Sequence, residues 1–321
     1  MRDINLMRNV SLKFPYSILI GKTGFVGINL LEAYDFSAGY HSVNVTEAYG
    51  KSPDLLVYAG IPGTKFMANM HPDDDRDIVI NATKNMQKIS PKKTVLISTI
   101  DVYDKFGVDE TYIPKTSAFG AYGENRLWLE KWTLENLQDV HIIRLPAIYG
   151  NGIKKNFVYD LINVAPVMLD EESYIKVNTW RDISSKYEKK KDGYFYLKEM
   201  TMAERNMFMD APLNAFSYTD SRNQYQFYSL KHLWKEICFA IEHGIRILNI
   251  VTEPIGASEL YKSIYGMPFL NKKADIPVKY DVRSCYCGFY HRTDGYFYSR
   301  DYVLNELTLF IRQEIQRLGM L

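Results

Sequence analysis

Ser17-Ile18-Leu19-Ile20 begins the first clear pattern in the chain. A short apolar run meets a turn punctuated by Gly21, Gly24 and Gly27, and apolar residues then recur at helical spacing over 24–34. Three further short runs follow: Asp54-Leu55-Leu56-Val57-Tyr58-Ala59-Gly60, Thr94-Val95-Leu96-Ile97-Ser98-Thr99, and His141-Ile142-Ile143-Arg144-Leu145, closed by Pro146. Runs this short and apolar on both faces predict buried parallel strands. Helices are predicted between them over 77–89 and 121–137, with a minor strand over 42–45 and a loop over 61–75. Strands alternating with helices in this way predict an α/β fold, a doubly wound parallel sheet of Rossmann type.

Beyond Tyr149 the pattern loosens. The stretch 170–220 is rich in charge and aromatics and reads as an insertion, and within it Lys186-Tyr187-Glu188-Lys189-Lys190-Lys191-Asp192 predicts a solvated turn or helix face. A helix over 230–243, a strand over 245–250 and an amphipathic helix over 301–318 are predicted further on. The expected organisation is a nucleotide-binding domain over 1–148, to which 222–251 returns. A smaller α/β substrate lobe is expected from 149–221 and 252–321.

Composition narrows the function classes. The 321 residues are 46% apolar, enough for a large two-lobed core, and 39 basic against 38 acidic residues leave a net charge of +1. That balance argues against a general binder of nucleic acid or anionic membrane. No apolar run approaches a membrane span, and Met1–Met7 lacks a signal-peptide core. Cys238, Cys285 and Cys287 cannot all pair with one another, and His71, His232 and His291 show no metal spacing. A soluble, cytoplasmic protein with reduced thiols and no metal is expected.

The glycine turn carries the first chemistry. A strand, a glycine-rich turn and a helix N-terminus form the geometry in which backbone N–H groups hold a phosphate or pyrophosphate. Gly21 would permit the turn, Gly24 the approach of a ligand and Gly27 close packing of helix on strand; G-x-x-G-x-x-G spacing alone also suits packing. Thr99 ends one strand, and Tyr122 and Arg126, four apart, share a helix face. A hydroxyl, a phenol and a permanent cation at the carboxyl edge of the sheet suit acid/base work at a secondary alcohol or its ketone. The cation would draw the phenol pKa down and the Thr hydroxyl would orient the substrate oxygen.

Gly21-x-x-Gly24-x-x-Gly27, Ser98-Thr99-x-x-Val102-Tyr103, Tyr122-x-x-x-Arg126 and Arg144-Leu145-Pro146-x-x-Tyr149-Gly150, in that order, resemble the extended short-chain dehydrogenase/reductase family. This is the NAD-dependent epimerase/dehydratase group, acting largely on nucleotide sugars. Gln224-Tyr225-Gln226-Phe227-Tyr228-Ser229-Leu230 extends the likeness into the second half. Gly21-Lys22-Thr23-Gly24-x-Val26-Gly27, the short stretch between Tyr34 and Asp54, and Ala59-Gly60 followed by Lys65 look most like dTDP-4-dehydrorhamnose reductases.

The resemblance implies an oxidoreductase that uses NAD or NADP to reduce a keto sugar carried on a nucleotide, in a cleft between lobes of a homodimer. It implies Thr99, Tyr122 and Arg126 as catalytic residues. Cofactor contacts are implied at Gly21, Thr23, Gly24, Phe25, Val26, Gly27, Ala59, Gly60, Lys65, Asn81, Arg126 and Pro146. Substrate contacts are implied at Asp101, at Asn156 with Lys154 or Lys155 beside it, and at Arg283 reaching from the second lobe.

Three departures qualify the likeness. Arg126 stands where the family has a lysine that contacts the nicotinamide ribose, and a guanidinium keeps the charge with different geometry. No Asp or Glu clearly ends the second strand, whereas Lys22 or His41-Ser42 would suit a 2′-phosphate, so NAD and NADP both stay open. The 170–220 stretch has no family counterpart. Ile100 occupies the general-acid position of the dehydratase branch, which argues against 4,6-dehydration. An epimerase with tightly held NAD and a non-catalytic NAD(P)-binding regulator are the alternatives.

Overall fold

The computed structural model describes residues 12–319; the Met1–Met7 stretch weighed above lies outside them. The chain divides into two units. The first runs through Gly152 and takes in Gln226–Glu253 and Asp281–Ser299; the second comprises Ile153–Tyr225, Pro254–Tyr280 and the chain from Arg300 onward.

The first unit is an α/β layer structure around a six-stranded sheet. Its strands are β1 (Ser17–Ile20), β2 (Ala38–Tyr40), β3 (Leu55–Tyr58), β4 (Thr94–Thr99), β5 (Val140–Leu145) and Ile247–Asn249. They lie in the order Ile247–Asn249, β5, β4, β3, β1, β2, all parallel. Every residue of β1, β3 and β5 is buried, the condition that makes parallel strands read as unbroken apolar runs. The chain winds outward from β1 to β2, then returns to β3 on the other side. That reversal opens a crevice beyond the carboxyl ends of β1 and β3, where ligands of open α/β sheets bind.

Four helices flank these strands: α1 (Phe25–Ala33), α2 (Lys65–Met70), α3 (Pro72–Ile89) and α4 (Ala121–Asn136). On α3, Val79, Ala82, Met86 and Ile89 recur at helical spacing and join the core that contains Leu56 and Tyr58 of β3.

Two local expectations are corrected. The second strand is Ala38–Tyr40, not 42–45, because 42–45 is a turn tied by Asn44. There His41 N donates to Asn44 Oδ1 (3.0 Å) and Asn44 N to His41 O (3.1 Å). The span 61–75 is not a loop: it holds α2 and the first turn of α3, which starts at Pro72 rather than 77. A proline suits a helix start, where its missing N–H has no partner to lose, and Asp73, Asp74 and Asp75 suit the positive end of the helix dipole.

A buried polar cluster locks the far side of the sheet. Arg144 of β5 donates from Nη2 to Glu130 Oε2 of α4 (2.6 Å) and from Nη1 to Tyr103 Oη (2.8 Å). Ser98 donates to Glu130, and Asn249 Nδ2 donates to Tyr103 Oη (2.8 Å). Burial pushes the Tyr103 phenol up to about 12 against the pull of Arg144. The motif residues Tyr103 and Arg144 therefore hold the scaffold together.

In the second unit a three-stranded antiparallel sheet runs Met168–Leu169, Phe195–Leu197, Tyr187–Lys189, so the basic stretch 186–192 is an edge strand and its turn. The helix Arg300–Arg317 buries Val303, Leu307, Ile311 and Ile315, one every four residues. Among the described residues no helix is long and apolar enough to cross a membrane, and no group of His, Cys, Asp and Glu could hold a metal.

Removing one partner of a buried ion pair strands the other. Arg144→Met should cost about 3–5 kcal/mol in chemical denaturation, and Arg144→Met with Glu130→Met should recover part of it. A double variant as unstable as the sum of its singles would contradict this account.

Candidate active site

Gly21 leaves β1 with φ +95°, and its N–H, like that of Lys22, donates to the Tyr40 carbonyl at the end of β2 (2.8 and 3.1 Å). A Cβ at Gly21 would stand 2.5 Å from the Ala59 carbonyl oxygen, and one at Gly27 would overlap the Gly21 carbonyl. Those glycines let α1 sit on the end of β1 and close the β1–β3 crevice. Gly24 differs: its nearest neighbour would be Gly21 O at 3.2 Å, and its surface is open. Gly24 caps α1 without any side-chain hydrogen bond, so the N–H groups of the helix's first turn have no side chain to satisfy them. This cradle fits a pyrophosphate. Thr23, Phe25, Val26, Ala59 and Gly60 surround it, all at least partly exposed.

The second cluster forms where β4 meets α4. Thr99 accepts a hydrogen bond from Asp101 N (3.1 Å), which turns the chain after β4. Ser117 donates to the Asp101 carbonyl (2.6 Å), and a Cβ at Gly123 would overlap both groups, so a glycine in the first turn of α4 lets this loop close on it. Asn69 of α2 accepts from Tyr122 N (2.9 Å) and fixes the start of the helix. Thr99 acts on the Tyr122 phenol and lowers its pKa slightly.

Arg126 stands beneath the Tyr122 ring, its guanidinium carbon 4.1 Å from the ring centre. It is 4% exposed and fully engaged: Nη1 on Asp75 Oδ2 and on the Tyr122 carbonyl (3.2 Å), Nη2 on the Pro62 carbonyl (2.7 Å). Asp75, also buried, accepts from Asn125 Nδ2 (2.8 Å). The guanidinium does pull the Tyr122 phenol down, but desolvation outweighs it and the pKa is pushed up to about 12; the carboxylates of Asp101 and Asp75 push the same way.

Asp101, 8% exposed, pairs with Lys65 Nζ (3.0 Å), which also lies 3.6 Å from the centre of the Phe119 ring. Thus Tyr122 with Arg126 and Asp101 with Lys65 are paired within one unit, and Thr99 sits at the turn before Asp101. Pro146 follows β5 and is partly exposed. Asn81 is exposed on α3. Asn85, one turn on, makes the inward contacts, accepting from Tyr49 Oη (2.8 Å) and donating to Tyr58 Oη (3.3 Å). Asn156 belongs to the second unit, where its Oδ1 caps the helix Phe157–Ile162. Arg283 lies in the first unit, not the second lobe, and pairs there with Asp281 (3.2 Å).

Sequence reasoning missed Asp75, Asn69 and Phe119. Asp75 sits in an acidic run at a helix start, which reads as solvated. The available signal was Arg126 itself, since an arginine on the inner face of a helix needs a carboxylate.

The fold is similar, over nearly the whole chain and at low sequence identity, to those of solved dTDP-4-dehydrorhamnose reductases and UDP-sugar epimerases. A dTDP-4-dehydrorhamnose reductase from Bacillus anthracis, in complex with NADP, matches with TM-score 0.61 at 14% identity over 95% of this chain and 99% of its own. RMD from Pseudomonas aeruginosa, complexed with NADPH, matches with TM-score 0.61 at 15% identity over 94% and 99%. The UDP-glucose 4-epimerase of Thermotoga maritima, with UDP-glucose, matches with TM-score 0.58 at 12% identity over 95% and 100%. No protein-family model and no curated protein matches the sequence.

The two glycines should separate folding from binding. Gly27→Ala overpacks the α1–β1 contact and should cost about 1–3 kcal/mol. Gly24→Ala, whose Cβ would press only on the Gly21 carbonyl at 3.2 Å, should cost less than that in denaturation, and if the loop holds NADPH it should lose about tenfold in affinity by fluorescence titration.

Proposed function

We propose that this chain reduces a keto sugar carried on a nucleotide, with NADP(H) as the cofactor. The observation that carries this reading is Tyr122 with Arg126 beneath its ring where β4 meets α4, its phenol pKa raised by burial and lowered by Arg126 and Thr99. A bound nicotinamide would supply the hydride. Tyr122 gives its proton to the carbonyl oxygen as that oxygen gains charge, and Thr99 orients the same oxygen. A phenol near 12 is a weaker acid than an ordinary tyrosine, but it is protonated throughout the neutral range, the form in which it can donate to a ketone oxygen. Asp101 and Lys65 stand on the substrate side of Tyr122 in this reading, and Asn156 and Arg283 are further substrate contacts to be tested.

Preference for NADP(H) is supported by charge at the end of β2. The Lys22 side chain lies over Gly39, with its Cδ 3.1 Å from where a Cβ would stand, and no carboxylate follows in Tyr40-His41-Ser42. Similar folds hold NADP and NADPH. Dinucleotide sites that choose NAD place an acid on the ribose, and those that choose NADP place a cation there. Lys22→Glu should therefore weaken NADPH binding by about tenfold or more while affecting NADH far less, read by titration with each.

A second reading, a regulator that binds the cofactor without turnover, is favoured by one feature: Arg126 is committed to Asp75 and Pro62. Tyr122→Phe discriminates. As a reductase the protein should lose about a hundredfold or more in turnover with unchanged NADPH affinity. Its wild-type rate should stay level from about pH 7 to 10, because the phenol loses its proton only above that window. A cellular role that survives Tyr122→Phe would support the regulator.

A further inference from the structure

The stretch 170–220 builds a cavity of its own in the second unit. The helix Glu171–Trp180 ends at Arg181, whose backbone N–H still donates to the Val177 carbonyl (3.0 Å). The chain then turns back, with Ile183 N donating to Asn178 Oδ1 (2.8 Å). Thr201 caps a short helix, Met202–Asn206, which runs into a 3₁₀ turn over Met207–Asp210. Residues from these segments enclose about 240 Å³, and none of them belongs to the first unit.

The lining is largely apolar. Ile183 and Phe208 are 3% and 2% exposed, and Met200 and Met207 line the same space. The Trp180 ring, 38% exposed, stands edge to face with Phe208, 6.2 Å between centres. An apolar cavity of about 150 Å³ accepts a benzene ring, so the space here suits one ring with a short substituent. Methionines adapt their shape to such a ring and make favourable sulfur–aromatic contacts.

Charge at the rim selects the substituent. Lys186 Nζ pairs with Glu204 (2.6 Å), and Glu204 also accepts from Thr201 N and Oγ1 (2.8 and 2.9 Å), which together hold its carboxyl down at about 2. Asp182 accepts from Ser184 N and Oγ (2.9 and 2.7 Å). Arg181 differs from these three. Its Nη1 meets Met207 Sδ, and among the described residues no carboxylate pairs with it. A thioether is a weak acceptor, so a planar fork of donors that matches a carboxylate is left for a ligand.

We propose that this cavity binds a small aromatic carboxylate, its ring against Trp180 and Phe208 and its carboxylate on Arg181. The site uses no residue of the reductase reading and stands independently of it.

The test follows 4-fluorophenylacetate by ¹⁹F line broadening on the full chain, beside its neutral counterpart 4-fluorophenylacetamide. The acid should bind with a Kd of about 1 mM or tighter, and the amide about tenfold more weakly. Arg181→Gln should weaken the acid about tenfold and leave the amide unchanged, so that the two become alike. Trp180→Ala should weaken both, with the fold of each variant checked by circular dichroism. Acid and amide that bind the wild type alike, or no broadening of either up to about 10 mM, overturn the proposal. So does an Arg181→Gln protein that is less stable yet holds the acid as before, because the guanidinium then serves only the end of its helix.

Discussion

A buried arginine must find an anion, and in this chain the search organises the candidate site. Arg126 is brought inside by α4, and the carboxylate that meets it, Asp75, comes from the first turn of α3. The second arm of the guanidinium holds the Pro62 carbonyl in the connection after β3. One side chain therefore joins α3, α4 and the connection from β3 to α2, and it does so directly beneath the Tyr122 ring. Desolvating two charges is costly, so an ion pair of this kind persists where its geometry is complete. Here Asn125 and the two backbone carbonyls complete it. The consequence is chemical as well as structural. The cation lies behind the phenol, committed to the scaffold.

Much of this architecture was legible because parallel strands buried on both faces leave continuous apolar runs. β1, β3, β4 and β5 could be located to within a residue or two, and α1 and α4 were equally plain. The glycine loop was legible for a stricter reason, since a Cβ at Gly21 or Gly27 has no room, so the sequence there records a steric prohibition. Legibility failed where elements are short or where tertiary contacts decide. β2 has three residues, too few to form a pattern, and α2 has six. Asn81 and Asn85 sit one turn apart on α3, and only packing shows that Asn85 faces the tyrosines. Arg283 is far from the glycine loop in sequence yet folds back into the first unit through Asp281–Ser299.

The candidate chemistry was legible in its parts and not in its balance. A hydroxyl, a phenol and a cation at one sheet edge follow from three motifs, and of these the phenol and the cation are in contact. The direction of the phenol's pKa did not follow, because burial and neighbouring charges compete there in proportions that sequence does not weigh. The arginine favours the phenolate; burial and two carboxylates oppose it and prevail. The same contest at Tyr103 has the same outcome, although Arg144 donates a hydrogen bond to that phenol. In both places a guanidinium whose charge is already neutralised by a carboxylate, Asp75 or Glu130, has little net field left to spend on the tyrosine.

That comparison separates the two tyrosines by what lies beyond them. Tyr103 is enclosed by Arg144 and Asn249, every partner belongs to the scaffold, and its raised pKa does no more than keep a donor in place. Tyr122 has Arg126 beneath its ring, while Asp101, whose charge raises its pKa, pairs with a partly exposed lysine. Their surroundings, more than the identity of the residue, divide the two phenols: Tyr103 is closed within the scaffold, and Tyr122 lies beside charged groups that extend toward solvent.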